Sequence, residues 1–381
     1  MTANPPSVPI QGRRVLFLRS NAVAPDPRVE KAAQSLAEHG YQVRVFAWDR
    51  EAIAPPEEQR AGYDIFRSRI KGRYGSGWRN LLPLLRWQFA ELSWLANQAG
   101  RGALIHACDF DTILPAWLVS RLRGCTLVYD IFDFYADNLT GLPAWLRQLI
   151  ARMERAMIAR ADGVILTDES RLEQIAPATP HRLCVIANTP RDANPQGEVT
   201  IPDQFSIIYV GQLLRNRGLE TVIEILSRHP EWQMTLAGFG ADAALLRDQA
   251  AGLKNISLHG QVGYDQAIAL MRPGSVLLAL YDPDLPNHRY ASPNKIFEAM
   301  MLAKPVLVSK ATGVDQLVET HGTGVAVDYH DPAAIEAALR RMADDPDWLR
   351  QMGQRARRCY EEMYSWQVME QRLISFYDDL P

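Results

Sequence analysis

Cysteine is scarce in this chain. Its four cysteines, Cys108, Cys125, Cys184 and Cys359, show no metal-ligand spacing, so a zinc module is excluded and reduced thiols of a cytosolic protein are expected. Long apolar runs are also missing, and no stretch approaches the length of a transmembrane helix. The first eleven residues, Met1 to Gln11, are polar and proline-containing and lack the apolar core of a signal peptide. Nor is there an excess of positive charge: the net charge of -3 argues against a dedicated nucleic-acid binder. Finally, the loop after the first strand, Ser20-Asn21-Ala22-Val23-Ala24, contains no glycine, so the dinucleotide fingerprint is absent and a nicotinamide or flavin enzyme is disfavoured.

What is present is an alternation. Val15 to Leu18 reads as a strand, Asp26-Pro27 opens a helix with Val29, Ala32, Ala33 and Leu36 on one side, and Tyr41 to Ala47 returns as a strand. Strands are expected again at Ala103 to Ala107, Thr126 to Tyr129, Gly163 to Leu166 and Leu183 to Ile186, with a helix near Thr112 to Leu122. Arg191 to Glu198 reads as a linker. A second cycle follows, with strands at Ser206 to Val210, Gln233 to Leu236, Asn255 to Leu258, Ser275 to Leu280 and Pro305 to Ser309. The pattern predicts an α/β protein of two doubly wound domains facing each other across a cleft, because 381 residues exceed one ordinary core. The expected limits are 1–190, 191–365 and a C-terminal helix, 366–381, that packs back on the first domain.

One stretch organises the second half: Tyr290-Ala291-Ser292-Pro293-Asn294-Lys295-Ile296-Phe297-Glu298-Ala299-Met300. Ser292 suits an N-cap and Pro293 the first helical position, while Ile296, Ala299, Met300 and Ala303 make an apolar stripe beside Lys295 and Glu298. Free backbone N–H groups, the helix dipole and Lys295 would together hold a diphosphate, and Glu298 could accept hydrogen bonds from a ribose. For Lys295 and Glu298 alone, a surface ion pair is the commoner role. In the turn from Gly211 to Gly218, Arg217 stands near the next helix, where it could face the same phosphates. Asp109 and Asp130 are placed just past strand ends, where open α/β sheets take ligands, although either alone would more often be a cap or turn residue.

Two further stretches mix arginine with large apolar residues. The first runs from Arg67, Arg69, Lys71 and Arg73 through Trp78-Arg79-Asn80-Leu81-Leu82 to Leu84-Leu85-Arg86-Trp87 and Trp94. The second, Leu142 to Arg160, carries Trp145, Leu146, Leu149, Ile150 and Met153. Either could lie on an anionic membrane surface, and a buried amphipathic helix with a charged outer face is an equal alternative.

Tyr209-Val210-Gly211 with Arg217-Gly218, then Ala237-Gly238-Phe239-Gly240, and above all Ser292 to Val306 make the chain resemble the retaining glycosyltransferases of family four, which have the two-Rossmann-domain GT-B fold. The resemblance implies transfer of a sugar from a nucleoside-diphosphate sugar to an acceptor hydroxyl, in polysaccharide, glycolipid or other glycoconjugate synthesis, with the anomeric configuration kept and no metal or other cofactor. It implies Arg217, Lys295 and Asp130 as catalytic residues, Glu298 on the ribose, and Gly211, Gln212, Ser292, Asn294, Gly238 and Tyr290 at the donor. Three positions depart from the family pattern: Tyr290 replaces an acid, Gln212 an arginine, and Phe132 a histidine. The group facing the reacting sugar is accordingly open among Asp130, Asp133 and Asp109. The expected partners are a nucleotide-sugar and a sugar or lipid-linked acceptor, with no nucleic acid. The expected place is the cytoplasm, peripheral on the inner face of the membrane. Rival readings are a metal-dependent enzyme using Asp282-Pro283-Asp284, a non-catalytic two-lobed sensor, and a nucleotide-sugar epimerase on the same fold.

Overall fold

A computed structural model describes residues 12–72, 81–139 and 141–381. Met1 to Gln11 and Arg73, Trp78, Arg79 and Asn80 of the first arginine-rich stretch lie outside these residues. The chain divides into two units, Met1–Ala187 with Glu370–Pro381, and Asn188–Met369.

The first unit is built on an eight-stranded sheet of β1 (Arg14–Arg19), β2 (Gln42–Trp48), β3 (Glu57–Arg60), β4 (Tyr63–Ser68), β5 (Leu104–Cys108), β6 (Thr126–Ile131), β7 (Gly163–Leu166) and β8 (Leu183–Val185). Its order is β3-β4-β2-β1-β5-β6-β7-β8, parallel except for the β3–β4 pair. The crossovers carry α1 (Pro27–Glu38), α2 (Leu81–Gln98), α3 (Phe110–Arg123), α4 (Ala144–Ile158) and the short α5 (Arg171–Ile175). β5, β6 and β7 are buried along their whole length, as strands covered by helices on both faces must be.

The second unit has a six-stranded, fully parallel sheet: β9 (Ser206–Gln212), β10 (Gln233–Phe239), β11 (Ile256–His259), β12 (Val276–Ala279), β13 (Val306–Ser309) and β14 (Gly324–Val327), in the order β11-β10-β9-β12-β13-β14. Around it stand α6 (Leu219–Arg228), α7 (Ala243–Ala250), α8 (Tyr264–Met271), α9 (Asn294–Met301), α10 (Val314–His321), α11 (Pro332–Asp344) and α12 (Pro346–Cys359). The polar stretch 191–198 packs within this unit, where Asp192 grips Arg357 at 2.6 Å. The last helix, α13 (Trp366–Asp378), crosses back to the first unit. There the Tyr377 hydroxyl meets His106 Nδ1 at 2.5 Å, and Thr126 Oγ1 donates to the carbonyl of Pro381 at 2.6 Å.

The first arginine-rich stretch is not one surface segment. Arg67 lies inside β4 with a buried guanidinium that donates to the carbonyls of Ala22 (2.7 Å) and Pro55 (2.9 Å) and to Glu58 (2.6 Å), so it ties loops together. Trp87 is wholly buried and Trp94 half-buried, and both stack on Phe46, at 5.2 Å and 4.9 Å. These two tryptophans belong to the core and cannot lie at a membrane interface. What α2 shows to solvent instead is Leu82, Leu85 and Phe89.

Candidate active site

At the carboxyl ends of β9 and β10 the two strands approach so closely that only glycine fits. Gly211 and Gly238 are cross-strand partners, and a Cβ on Gly238 would fall 1.8 Å from the Gly211 carbonyl oxygen. Gly238 also has a φ of 138°, a conformation that side chains rarely adopt. The same turn brings Gly211 against Lys295, whose Nζ lies 3.3 Å from where a Gly211 Cβ would stand.

Lys295 sits in the first turn of α9 and is buried. Its ammonium lies 3.7 Å above the Tyr209 ring and 5.9 Å from that of Tyr281. Arg217, from the 3-10 turn Arg215–Arg217, stacks 4.3 Å over the Tyr281 ring, while the Tyr209 hydroxyl donates to the Gln212 carbonyl at 2.5 Å. Two cations, one from a helix and one from a turn, thus share Tyr281. Arg217 Nη1 donates to His288 Nε2 at 2.8 Å, while His288 Nδ1 donates to the Asp282 carbonyl at 2.9 Å, which fixes the neutral tautomer of that imidazole. Burial, and then repulsion by Arg217, pull the Lys295 ammonium down to about 7, with Glu298 offsetting part of this. Glu298, one turn further in, is half-buried, and after burial its charge is the main cause that pushes the Tyr264 phenol up, a neighbour that sequence reasoning missed.

The start of α9 differs from the expectation in one respect. Pro293 occupies the cap position with ψ of 137°, and the helix begins at Asn294. Ser292 therefore stands one residue before the cap position, and its carbonyl accepts from Asn188 Nδ2 at 3.4 Å. Pro293 itself offers no side-chain acceptor to the first-turn N–H groups. Asn294 is exposed, Gln212 is exposed at the end of β9, and Tyr290 closes the 3-10 turn Pro286–Tyr290.

The acids of the first unit are placed quite differently from one another. Asp130 lies within β6, and is 3% exposed. Arg28 clasps both of its oxygens, at 2.7 and 3.1 Å, and His106 Nε2 stands 3.3 Å away. Burial would raise its pKa, but Arg28 and His106 outweigh this and hold it at about 2. Asp130 thus holds Arg28 and faces His106 inside the sheet, nearly closed to solvent. Asp109 directly follows β5 with φ of 65°, a strained value for a residue with a side chain. Its carboxylate accepts from the Phe132 N–H at 2.9 Å and pairs with Arg19, yet burial still raises it to about 6. Phe132 has Arg19 and Arg28 over its ring at 4.0 and 5.0 Å. Asp133 is half exposed and bound to Arg171 at 2.9 Å.

Asp282 and Asp284 do come together with His330, whose Nε2 lies 3.9 and 3.2 Å from them, on the surface of the second unit. The ligand atoms of all three fall within 4.8 Å of one another. Asp282 is additionally engaged, its side chain accepting from the Asp284 N–H at 3.0 Å.

Comparison with known proteins decides the family. Residues 190–359 match the family described as glycosyl transferases group 1, and residues 24–189 match the glycosyl transferase 4-like domain. The chain belongs to this glycosyltransferase family. Among curated relatives of this glycosyltransferase is the alpha-D-kanosaminyltransferase of Streptomyces kanamyceticus, 24% identical over 77% of this chain and 83% of that one. Among solved structures, the sucrose-phosphate synthase of Thermosynechococcus elongatus superimposes with a TM-score of 0.76 at 18% identity, over 96% of this chain and 98% of that one. The Anabaena protein HepE, solved in complex with UDP-glucose, gives 0.69 at 17% identity over 96% and 100%. The fold is that of the GT-B glycosyltransferases, two α/β units with parallel sheets.

Proposed function

We propose that this glycosyltransferase acts with retention of anomeric configuration and without a metal ion, using Lys295, Arg217 and the amino end of α9 to hold the diphosphate of its nucleotide-sugar. The observation that carries this reading is the pair of cations gathered on Tyr209 and Tyr281 beside the amino end of α9. Like charges brought together at a desolvated site repel, and a diphosphate relieves that repulsion. The complex of HepE with UDP-glucose supports a donor of this class.

In the proposed reaction the acceptor hydroxyl oxygen bonds to the anomeric carbon as the bond from that carbon to the diphosphate oxygen breaks. The hydroxyl proton passes to an oxygen of the departing diphosphate, which leaves as the nucleoside diphosphate. Negative charge grows on the leaving group as the bond lengthens, and Lys295, Arg217 and the helix N–H groups stabilise it there. Glu298 takes the ribose hydroxyls. Gly211 and Gly238 keep the floor open, and Gln212, Asn294, Ser292 and Tyr290 line the donor. The acceptor is a sugar, free or lipid-linked, reached from the inner face of an anionic membrane in polysaccharide or glycolipid synthesis.

Thermal stabilisation by UDP-glucose, followed by NMR assignment of the anomeric product, tests this reading. Loss of the stabilisation in Lys295→Met and Arg217→Met, with an unchanged anomer in the wild-type product, is the expected result. An inverted product, or activity abolished by a chelator, would contradict it; the latter would direct attention to Asp282, Asp284 and His330.

A further inference from the structure

Crossovers from β4 to β5, β5 to β6 and β6 to β7 all step in one direction along the first sheet, so right-handed connections place α2, α3 and α4 side by side on one face. Their outward side chains are unusual for a water-facing layer. On α2, Leu82, Leu85 and Phe89 recur at i, i+3 and i+7, with Phe89 70% exposed. On α4, Trp145, Leu149 and Met153 recur at i, i+4 and i+8, with Trp145 68% exposed. Leu122 at the end of α3, 74% exposed, adds to the same layer. Apolar surface spread over three adjacent helices marks an interaction site.

Charge on these helices is sorted by side. The acids Glu91 and Glu154 are wholly buried and Asp111 nearly so, while Arg86, Arg121, Arg123 and Arg152 are exposed. The outward face is therefore apolar and cationic, with no acid of these three helices on it. A folded protein partner would need carboxylates in fixed register with every arginine. A fluid anionic leaflet supplies a phosphate wherever an arginine reaches, and takes the apolar side chains at a common depth. Because crossover helices run antiparallel to their strands, the first turns of α2 and α4, with Leu82, Leu85 and Trp145, stand at the sheet edge where β5 and β6 end. Asp109 and Asp130 sit at that edge.

We infer that the outer face of α2, α3 and α4 docks on an anionic phospholipid bilayer, its leucines, Phe89 and Trp145 entering the leaflet and its arginines lying at the lipid phosphates, and that this brings a lipid-linked acceptor to the strand ends of the first unit. The acceptor part rests on the glycosyltransferase function proposed above; the docking part does not.

Co-sedimentation of the full chain with phosphatidylglycerol-containing vesicles and with pure phosphatidylcholine vesicles, without donor, is the test. Binding to the anionic vesicles that weakens with salt is expected, and the double variants L85S/F89S and R86E/R152E should each lose about tenfold or more in partition. Stabilisation by UDP-glucose and slow release of free glucose from it should be unchanged in both variants, which reports that they are folded and that the donor site is separate. Equal partition of wild type and variants, or no partition of the wild type, overturns the inference. So does concentration-dependent self-association of the wild type that both variants abolish, which would show that a second copy covers this face. Loss of donor stabilisation in the wild type would instead count against the proposed function and leave the vesicle result standing.

Discussion

Lys295 and Arg217 meet on one ring: the Tyr281 side chain lies 5.9 Å from the ammonium and 4.3 Å from the guanidinium carbon. Removing the Lys295 charge should therefore separate binding from folding. Lys295→Met should lower kcat/KM about a hundredfold or more, as loss of a transition-state donor does. Because the buried ammonium is itself desolvated, the unliganded variant should melt no lower than wild type. Calorimetry with and without UDP-glucose checks both halves.

Donor binding should be coupled to proton uptake. Lys295 is pulled from an ordinary 10.5 to about 7 in the free protein. A bound diphosphate favours the charged form, so affinity should be tightest below about pH 7 and fall by up to tenfold per pH unit above it. The stability of the free protein carries the opposite sign. Between about 7 and 10.5 the unfolded chain holds the proton that the folded one lacks, so the cost of burying Lys295 is full at low pH and is relieved as pH rises through that window. Titration calorimetry near pH 8 in buffers of differing ionisation enthalpy should show uptake approaching one proton, absent in Lys295→Met.

Asp130→Asn should act on stability. It leaves Arg28 and His106 facing a neutral group in a buried setting, a change that costs about 3–5 kcal/mol. With the carboxyl held at about 2 against an ordinary 3.8, the stabilisation from this pair is present above about 3.8 and lost as pH falls towards 2. Acid unfolding of wild type and variant, read by circular dichroism, checks this. A variant of unchanged stability and selectively lost kcat would instead make Asp130 a catalytic residue.

Much of this arrangement is legible in residue order, and the parts that are not have identifiable causes. Apolar runs such as Gly163 to Leu166 announce parallel strands because such strands are covered on both faces. The strand Glu57–Arg60 gives no such signal, since an edge strand of charged residues owes its form to pairing with β4. For Arg67 and Trp87 residue order leaves a membrane surface and a buried helix equally open, because their partners, the carbonyls of Ala22 and Pro55 and the Phe46 ring, are distant in sequence. The stripe Ile296, Ala299, Met300 and Ala303 is buried as its spacing requires. The burial of Lys295 follows from Tyr209, and nothing in the local sequence of α9 reveals it.

Gly238→Ala should be disruptive, because its Cβ would strike the Gly211 carbonyl at 1.8 Å and no flexible side chain is available to yield. A loss of about 1–3 kcal/mol is expected, together with weaker donor binding as β9 shifts. Gly263→Ala, with nothing within 4 Å of its Cβ, is the control and should melt like wild type.

The most direct test is a crystal structure with UDP-glucose bound. The diphosphate should lie within hydrogen-bond reach of Lys295 Nζ and Arg217 and against the first N–H groups of α9. A diphosphate lodged elsewhere, or held through a cation on Asp282 and Asp284, would contradict the account.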